Sequence, residues 1–388
     1  MKRKIAILGS TGSIGKTLIK ILKKDKSNFE ISLLTANKDI KTILIQQKFF
    51  RVKNIIITNK RKCSEFKNIL KNKKVNVYDD FSALNKIFKN KKIDYTMSSI
   101  SGLEGLKPTL QMIKFSKKIA IANKEAIICG WPLINKALKK NNTKFIPIDS
   151  EHFSIRELID NAKNKDIEKV FITASGGPFN MLPFSKFKSI TIKQALNHPN
   201  WKMGQKISID SATMMNKVFE TIEAKKIFDY EYKKLDILVH PKSYVHALVK
   251  FKNGLTKILL HDTNMIIPIF NSLYPNFKKT IKSDRLNMLN LNNLNFSKID
   301  NKKFPVIKIL KSLPNQCSLF ETVLVSANDT LVKLFLQNKI NFLDISRILL
   351  KIIKFDEFKK YKKKTPKNIN EISDLSDYVS LKINSLSI

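Results

Sequence analysis

Apolar residues fall into two periodicities that alternate along the first part of the chain. The short continuous runs KIAILG, EISLLTAN, NIIITN and VNVYDD read as buried strands. Between the first two, SIGKTLIKILKK carries the spacing of an amphipathic helix. IDYTMSSISG is a further strand ending in a turn, LKPTLQMIKFSK a helix, and KIAIANKE a strand with a polar exit. Strands alternating with helices predict a parallel sheet with crossover helices, and the pattern runs to KFIPIDSEH, residues 144–152. The texture then changes. KVFITASGGPF, LDILVHPKSYVHALVKF and GLTKILLHD read as strands, separated by a polar segment over 177–210 and a helix over 211–228. Hairpin-like strands with a helix on one side predict an α+β domain. Residues 276–303, rich in Asn, Lys and Ser, read as a linker, and FPVIKILKSL, SLFETVLVSANDTLVKLFLQNK, NFLDISRILLKIIKFDEF and NINEISDLSDYVSLKIN have helical spacing.

The expected organisation is therefore an α/β protein with a parallel-sheet domain over 1–148, an α+β domain over 149–275, the linker over 276–303 and a C-terminal α-helical domain over 304–388. A chain of 388 residues is long enough for two or three cores. With 43% hydrophobic residues it reads as globular, and no apolar run reaches the roughly 18 residues of a membrane span. The opening MKRKIAILGSTGSIG reads as a strand running into a Gly-rich turn instead of a targeting segment, so the expected location is cytoplasmic. A formal charge of +40 raises the question of nucleic acid. Basic residues are spread from end to end and mostly stand beside Asn and Ile, whereas a nucleic-acid footprint clusters on one face, so neither nucleic acid nor membrane is expected as a partner. Cys63, Cys129 and Cys317 form no CxxC and imply neither a disulfide framework nor a cysteine zinc site.

Only ten glycines occur, and they cluster. Gly9, Gly12 and Gly15 make GSTGSIG between a strand and a helix, where backbone N–H groups and the helix dipole suit a pyrophosphate, or where the chain simply turns tightly. The second strand runs out as TANKD, with Asn37 and Lys38 before Asp39; a cation there favours the 2′-phosphate of NADPH, or is a solvated surface Lys. IANKE puts Asn123, Lys124 and Glu125 at a strand exit, as ligand groups or as a helix start. IDSEH sets Asp149 and Glu151 two apart in an extended segment, so both carboxylates project to one side, as a pair for Mg²⁺ or Mn²⁺ or as helix-capping groups. TASGGPF offers the Ser175 hydroxyl and free N–H groups to an oxyanion, or forms a plain turn. In HPNWKMGQKISIDSATMMNK, Ser211 stands where a helix should begin, with Asn216, Lys217 and Glu220 following on one helical face. His240 and His246 fall on one strand, in register on one face, as satisfied partly buried histidines or as site groups.

Taken together and in order, GSTGSIG, IANKE, IDSEH, TASGGPF, HPNWKMGQKISIDSATMMNK and HPKSYVH resemble the 1-deoxy-D-xylulose 5-phosphate reductoisomerase family over residues 4–275, and SANDTLVKLFL extends the likeness more loosely. The resemblance implies a Rossmann-like NADPH-binding domain, then a catalytic domain and a helical domain, in a homodimer. It implies conversion of 1-deoxy-D-xylulose 5-phosphate to 2-C-methyl-D-erythritol 4-phosphate in non-mevalonate isoprenoid precursor synthesis, with NADPH and a divalent cation, Mg²⁺, Mn²⁺ or Co²⁺. It assigns the metal to Asp149, Glu151 and Glu220, and the phosphate of the sugar substrate to Ser175, Ser211, Asn216 and Lys217. His198 and His246 should lie near the substrate, Ser150 should meet its hydroxyls, and Trp201, Met203 and Gly204 should belong to a flap. NADPH is implied at Gly9, Thr11, Gly12, Ser13, Ile14, Asn37, Lys38, Asn123, Glu125 and Gly204, with Lys124 shared between cofactor and substrate. The catalytic groups on this likeness are Lys124, Glu151, His198 and Glu220. The chain departs from the family pattern twice. HDTNMIIPI, 261–269, stands where the family has G-x-P-D-M-R-x-P-I, which bears on local ion pairing and the dimer interface, and Asp39 stands where Asn is more frequent beside the 2′-phosphate.

Overall fold

The computed structural model describes residues 2–71, 74–160, 162–275, 279–284 and 288–386. Part of the predicted linker, 276–278 and 285–287, lies outside the described residues. The chain forms two compact units: Met1–Ile127, Leu133–Asp149 and Met265–Ile281 make one, and Ile128–Pro132, Ser150–Asn264 and Lys282–Ile388 make the other.

The first unit holds the predicted parallel sheet. Strands β1 (Arg3–Leu8), β2 (Phe29–Ala36), β3 (Asn54–Ile57), β4 (Asn76–Tyr78), β5 (Tyr95–Ser98), β6 (Lys118–Ile121) and β7 (Lys144–Pro147) pair in the order β4-β3-β2-β1-β5-β6-β7, all parallel. Alternate residues of β1 serve two cores: Ile5 and Ile7 join Leu18, Leu22 and Ile55, while Ala6 and Leu8 join Ile56, Met112 and Phe115. Burial on both faces explains the unbroken apolar runs that mark these strands in the sequence. The Ser13–Lys24 helix turns Leu18, Ile19, Ile21 and Leu22 inward and ends in Lys23 and Lys24, which favour a helix C-terminus. The strand order reverses between β1 and β5, and such a reversal opens a crevice at the carboxyl ends of the strands.

The second unit is built on a four-stranded sheet, β8 (Ile167–Ala174), β9 (Leu235–Val239), β10 (Val245–Phe251) and β11 (Thr256–Leu260), in the order β11-β10-β8-β9. β10 and β11 form the expected hairpin, but β9 runs parallel to β8. The connection from β8 to β9 is the long one that carries helices, and a parallel neighbour needs such a crossover. His240 and His246 do not share a strand. β9 ends at Val239, Ser243 takes a left-handed φ of 58°, and His246 is the second residue of β10. The polar segment 177–210 is not featureless either, holding a 3₁₀ turn at Phe184–Ser189 and a short helix at Ile192–Leu196.

Helices Phe320–Leu336, Phe342–Ile352 and Ile369–Asn384 match the helical spacing of the C-terminal region, whereas FPVIKILKSL forms a 3₁₀ helix at Pro305–Ser312. Lys226, on the Met215–Phe228 helix, meets Glu321 at 2.9 Å, and both side chains are buried. Ser318 completes the site by donating its backbone N–H to Glu321 Oε2 at 3.1 Å. Glu321→Ala leaves the Lys226 ammonium buried without its counter-charge, at a cost of about 3–5 kcal/mol. Urea unfolding of the full chain should show that loss; an unchanged midpoint would mean that the pair contributes nothing.

Candidate active site

At the mouth of the first sheet, Gly9 follows β1 with φ +79°, and a Cβ there would meet the Ser99 carbonyl oxygen at 2.8 Å. Glycine is required by both its conformation and the approach of β5's exit. Gly12 and Ser13 are exposed at the start of the Ser13–Lys24 helix, with Thr11 and Ile14 half-buried beside them. A helix start of this kind presents backbone N–H groups that suit an anion. Beyond β2, Asn37 donates to Thr58 Oγ1 at 2.8 Å, and Lys38 is exposed. The Asp39 carboxylate is engaged elsewhere, capping the Ile40–Phe50 helix by accepting from the Thr42 N–H at 3.0 Å. A cavity of about 650 Å³ opens at these strand ends, lined by Thr35, Asn37, Thr58, Ser82, Lys107 and Gln111 among others.

Asn123 begins the helix, as the helix-start reading of IANKE has it. Its side chain caps the Lys124–Lys140 helix at the Ala126 N–H, 2.8 Å, while its amide donates to the Gly102 carbonyl at 2.7 Å. Glu125 is buried in the first turn. Lys124 reaches Asp149 at 3.4 Å.

The Ser150–Ile159 helix starts immediately after Asp149, so Asp149 and Glu151 are not alternate residues of an extended segment. Glu151 belongs to the first helical turn. Within the second unit, Glu151 and Glu220 both reach the Lys217 ammonium, so these two carboxylates stand together. His152 Nε2 is engaged with the Glu220 carbonyl oxygen at 2.8 Å, and carboxylate oxygens are the better match to a hard divalent cation.

Ser211 does not begin the helix that bears the polar face. It lies in the last turn of Gln205–Ala212; Met214 then takes φ +66°, and a second helix, Met215–Phe228, carries Asn216, Lys217 and Glu220. The break turns Ser211 towards the start of the next helix, and Ser175, Gly176, Ser211, Asn216 and Lys217 line one small pocket. Gly177 holds φ +64° with the Ser211 carbonyl 2.8 Å from where its Cβ would be, so β8's exit and this corner pack backbone to backbone. Lys217 is buried and ion-paired to both Glu151 and Glu220, while the Asn216 amide donates to Glu220. Burial lowers the ammonium's pKa, but Glu151 and then Glu220 outweigh it and push it up to about 12.

The segment expected to form a flap is tied through His198. Its Nδ1 accepts from the N–H groups of Asn200 (3.2 Å) and Trp201 (3.0 Å), which places the ring proton on Nε2, facing Ser175 Oγ at 3.1 Å. The Asn200 amide donates to the Pro241 carbonyl at 2.7 Å and Ser243 Oγ at 2.8 Å, so the flap begins on the turn between β9 and β10. Trp201 and Met203 are half-buried, and Gly204 precedes the next helix in an ordinary extended conformation (φ −66°, ψ 156°). His246 is buried behind Trp201, with ring centroids 6.1 Å apart. Sequence reasoning missed the cavity residues Thr58, Ser82, Lys107 and Gln111. The rule that ligands seat at the carboxyl ends of parallel strands is the signal that points to the loops that carry them.

Family models fit this chain in three blocks. Residues 5–130 match 1-deoxy-D-xylulose 5-phosphate reductoisomerase, and 145–228 and 260–379 match C-terminal domains of that enzyme. A relative from Pelagibacter ubique (strain HTCC1062), named 1-deoxy-D-xylulose 5-phosphate reductoisomerase, is 62% identical over the whole of both chains. The chain belongs to the 1-deoxy-D-xylulose 5-phosphate reductoisomerase family. A Chloroherpeton thalassium reductoisomerase is 38% identical over 90% of each chain. Among solved structures, a reductoisomerase from Zymomonas mobilis in complex with NADPH matches with TM-score 0.89 at 29% identity, covering 100% of both chains. A reductoisomerase in complex with NADPH, fosmidomycin and magnesium matches with TM-score 0.90 at 29% identity, covering 99% of this chain and 98% of that one.

Within this reductoisomerase, His198 yields a direct check. Burial, then the Lys217 charge, lowers its pKa from the ordinary 6.5 to about 4, and two N–H donors aimed at Nδ1 oppose protonation in the same sense. The unfolded chain therefore takes up this proton first as pH falls, so the group's contribution to stability is complete above 6.5 and declines towards 4. NMR titration of the metal-free protein should give a His198 midpoint near 4; a midpoint above 6 would contradict the assigned tautomer and hydrogen bonds.

Proposed function

We propose that this chain catalyses the reaction of its family, the NADPH- and divalent-cation-dependent isomerisation and reduction of 1-deoxy-D-xylulose 5-phosphate to 2-C-methyl-D-erythritol 4-phosphate, in non-mevalonate isoprenoid precursor synthesis. The observation that carries it is that the Glu151 and Glu220 carboxylates stand together beside a pocket of hydroxyl, amide and ammonium groups. Carboxylate oxygens are the donor set of Mg²⁺, Mn²⁺ or Co²⁺. The buried Lys217 ammonium between Glu151 and Glu220 supports a place for positive charge there.

When bound, the cation supplies Lewis acidity for the skeletal rearrangement and NADPH supplies the hydride. The rest falls to the chain's own residues. Asp149, Glu151 and Glu220 hold the cation, and Lys124 steadies Asp149 through their ion pair. Ser175, Ser211, Asn216 and Lys217 seat the phosphate, whose binding energy positions a reacting centre away from it. Ser150 meets the sugar hydroxyls. Neutral His198 orients the Ser175 hydroxyl and, with His246, Trp201 and Met203, forms the cover that keeps water from the reacting carbons. Gly9, Thr11, Gly12, Ser13 and Ile14 hold the NADPH pyrophosphate at the helix start, Asn37 and Lys38 the 2′-phosphate side, and Asn123 and Glu125 the strand exit. Gly204, at the flap's end, completes the cofactor's contacts.

The working form on this reading is a cytoplasmic homodimer. No helix among the described residues is long and apolar enough to cross a membrane. Strand β11 is an edge strand with exposed Leu255, Ile258 and Leu260 on or beside it, and a second copy would cover them. Purified chain should oxidise NADPH when given the deoxyxylulose phosphate and Mn²⁺, stop on chelation and resume when Mn²⁺ is restored. A dehydrogenase without isomerisation would continue in chelator. Glu220→Gln should weaken Mn²⁺ activation and lower kcat by on the order of 100-fold; an unchanged Mn²⁺ titration would remove Glu220 from the ligand set.

A further inference from the structure

Four rings form a ladder in the second unit. Trp201 of the flap meets His246 at 6.1 Å and 74°, His246 stacks on His261 at 3.7 Å and 15°, and His261 meets Phe153 at 5.9 Å and 63°. Phe153 stands two residues beyond Glu151 on the same helix. The two central rings are oriented by backbone oxygens. His246 Nε2 lies 3.2 Å from the His261 carbonyl oxygen, and His261 Nδ1 lies 2.8 Å from that of Asp262, so each ring donates a proton outward from the stack.

His261 occupies the first position of HDTNMIIPI, where the family pattern has glycine. A glycine has no side chain to support His246. We propose that His261 is a positioning residue of this active site: its flat face backs His246, completing a ladder that joins the flap at Trp201 to the helix bearing Ser150 and Glu151. The inference rests on the reading that His246 faces the sugar phosphate. It goes beyond that reading in giving a role to the His261 side chain, for which the family pattern offers none.

The test compares His261→Gly, His261→Ala and His261→Phe with the wild-type chain. Loss of the ring should raise the KM for the deoxyxylulose phosphate about tenfold, the upper end of what an aromatic pair supplies. kcat should stay within about threefold, and the KM for NADPH and the Mn²⁺ activation constant should not move, because an oriented ring contributes to substrate binding alone. His261→Phe, which keeps a flat face, should remain within about twofold of wild type. The proton NMR signals of the His246 ring, shifted by the stacked neighbour in the wild type, should move in the Gly and Ala variants and not revert with added NADPH. This readout does not depend on turnover. Wild-type KM in His261→Gly, or a His261→Phe variant as impaired as His261→Ala, would overturn the proposal. An inactive wild type whose His246 signals still respond to the substitution would instead overturn the functional reading and leave the stack intact.

Discussion

The second unit is organised around one buried ammonium shared by two buried carboxylates. Lys217 stands between Glu151, on the helix that follows β7, and Glu220, one turn along its own helix. Removing such charges from water is costly, and removing either partner leaves an unsatisfied charge in the interior. The surrounding polar groups serve this balance: the Asn216 amide meets Glu220, the Ser150 hydroxyl donates to Glu151 Oε2 at 2.6 Å, and His152 holds the Glu220 carbonyl. What keeps the helices together is thus also what places an ammonium and two carboxylates side by side. A second buried pair, Lys226 with Glu321, fixes the other end of the Met215–Phe228 helix to the C-terminal helices.

Much of the first unit is legible in the chain because its strands are buried on both faces and its helices on one. KIAILG followed by SIGKTLIKILKK could hardly fold otherwise, and the helix indeed spans Ser13–Lys24. The strand order, by contrast, is a matter of crossover choices that local periodicity does not encode. In the second unit, periodicity misleads where a turn is short: LDILVHPKSYVHALVKF keeps an apolar texture through a break made by five residues, 240–244, so its two histidines seem to share a strand. The corner at Met214 is hidden in the same way. A methionine in the left-handed region gives no compositional sign, yet it separates Ser211 from Asn216 and brings both to the pocket.

The motif residues were visible as types, but their pairing was not. A carboxylate at 151 and an ammonium at 217 lie 66 positions apart, and only the packing of two helices joins them. The two departures from the family pattern have separate physical explanations. Asp39 is a helix cap, which accounts for its carboxylate without reference to a cofactor. Along 261–269, His261 enters the aromatic ladder, the Asp262 carboxylate accepts from the Asp284 N–H at 3.0 Å, and Ile269 is core of the first unit. The charge of +40 is spread over the whole chain, and the carboxylates meet it as Lys124 beside Asp149 and Lys217 beside Glu151.

The central claim is that the Lys217 ammonium occupies charge space that a divalent cation otherwise shares between Glu151 and Glu220. Calorimetric titration of Mn²⁺ into the substrate-free Lys217→Met variant tests it most directly. With the competing ammonium gone and both carboxylates left facing each other, Mn²⁺ should bind at least about tenfold more tightly than to the wild type, as expected when like charges share a buried site. Unchanged or weaker Mn²⁺ binding would contradict the account.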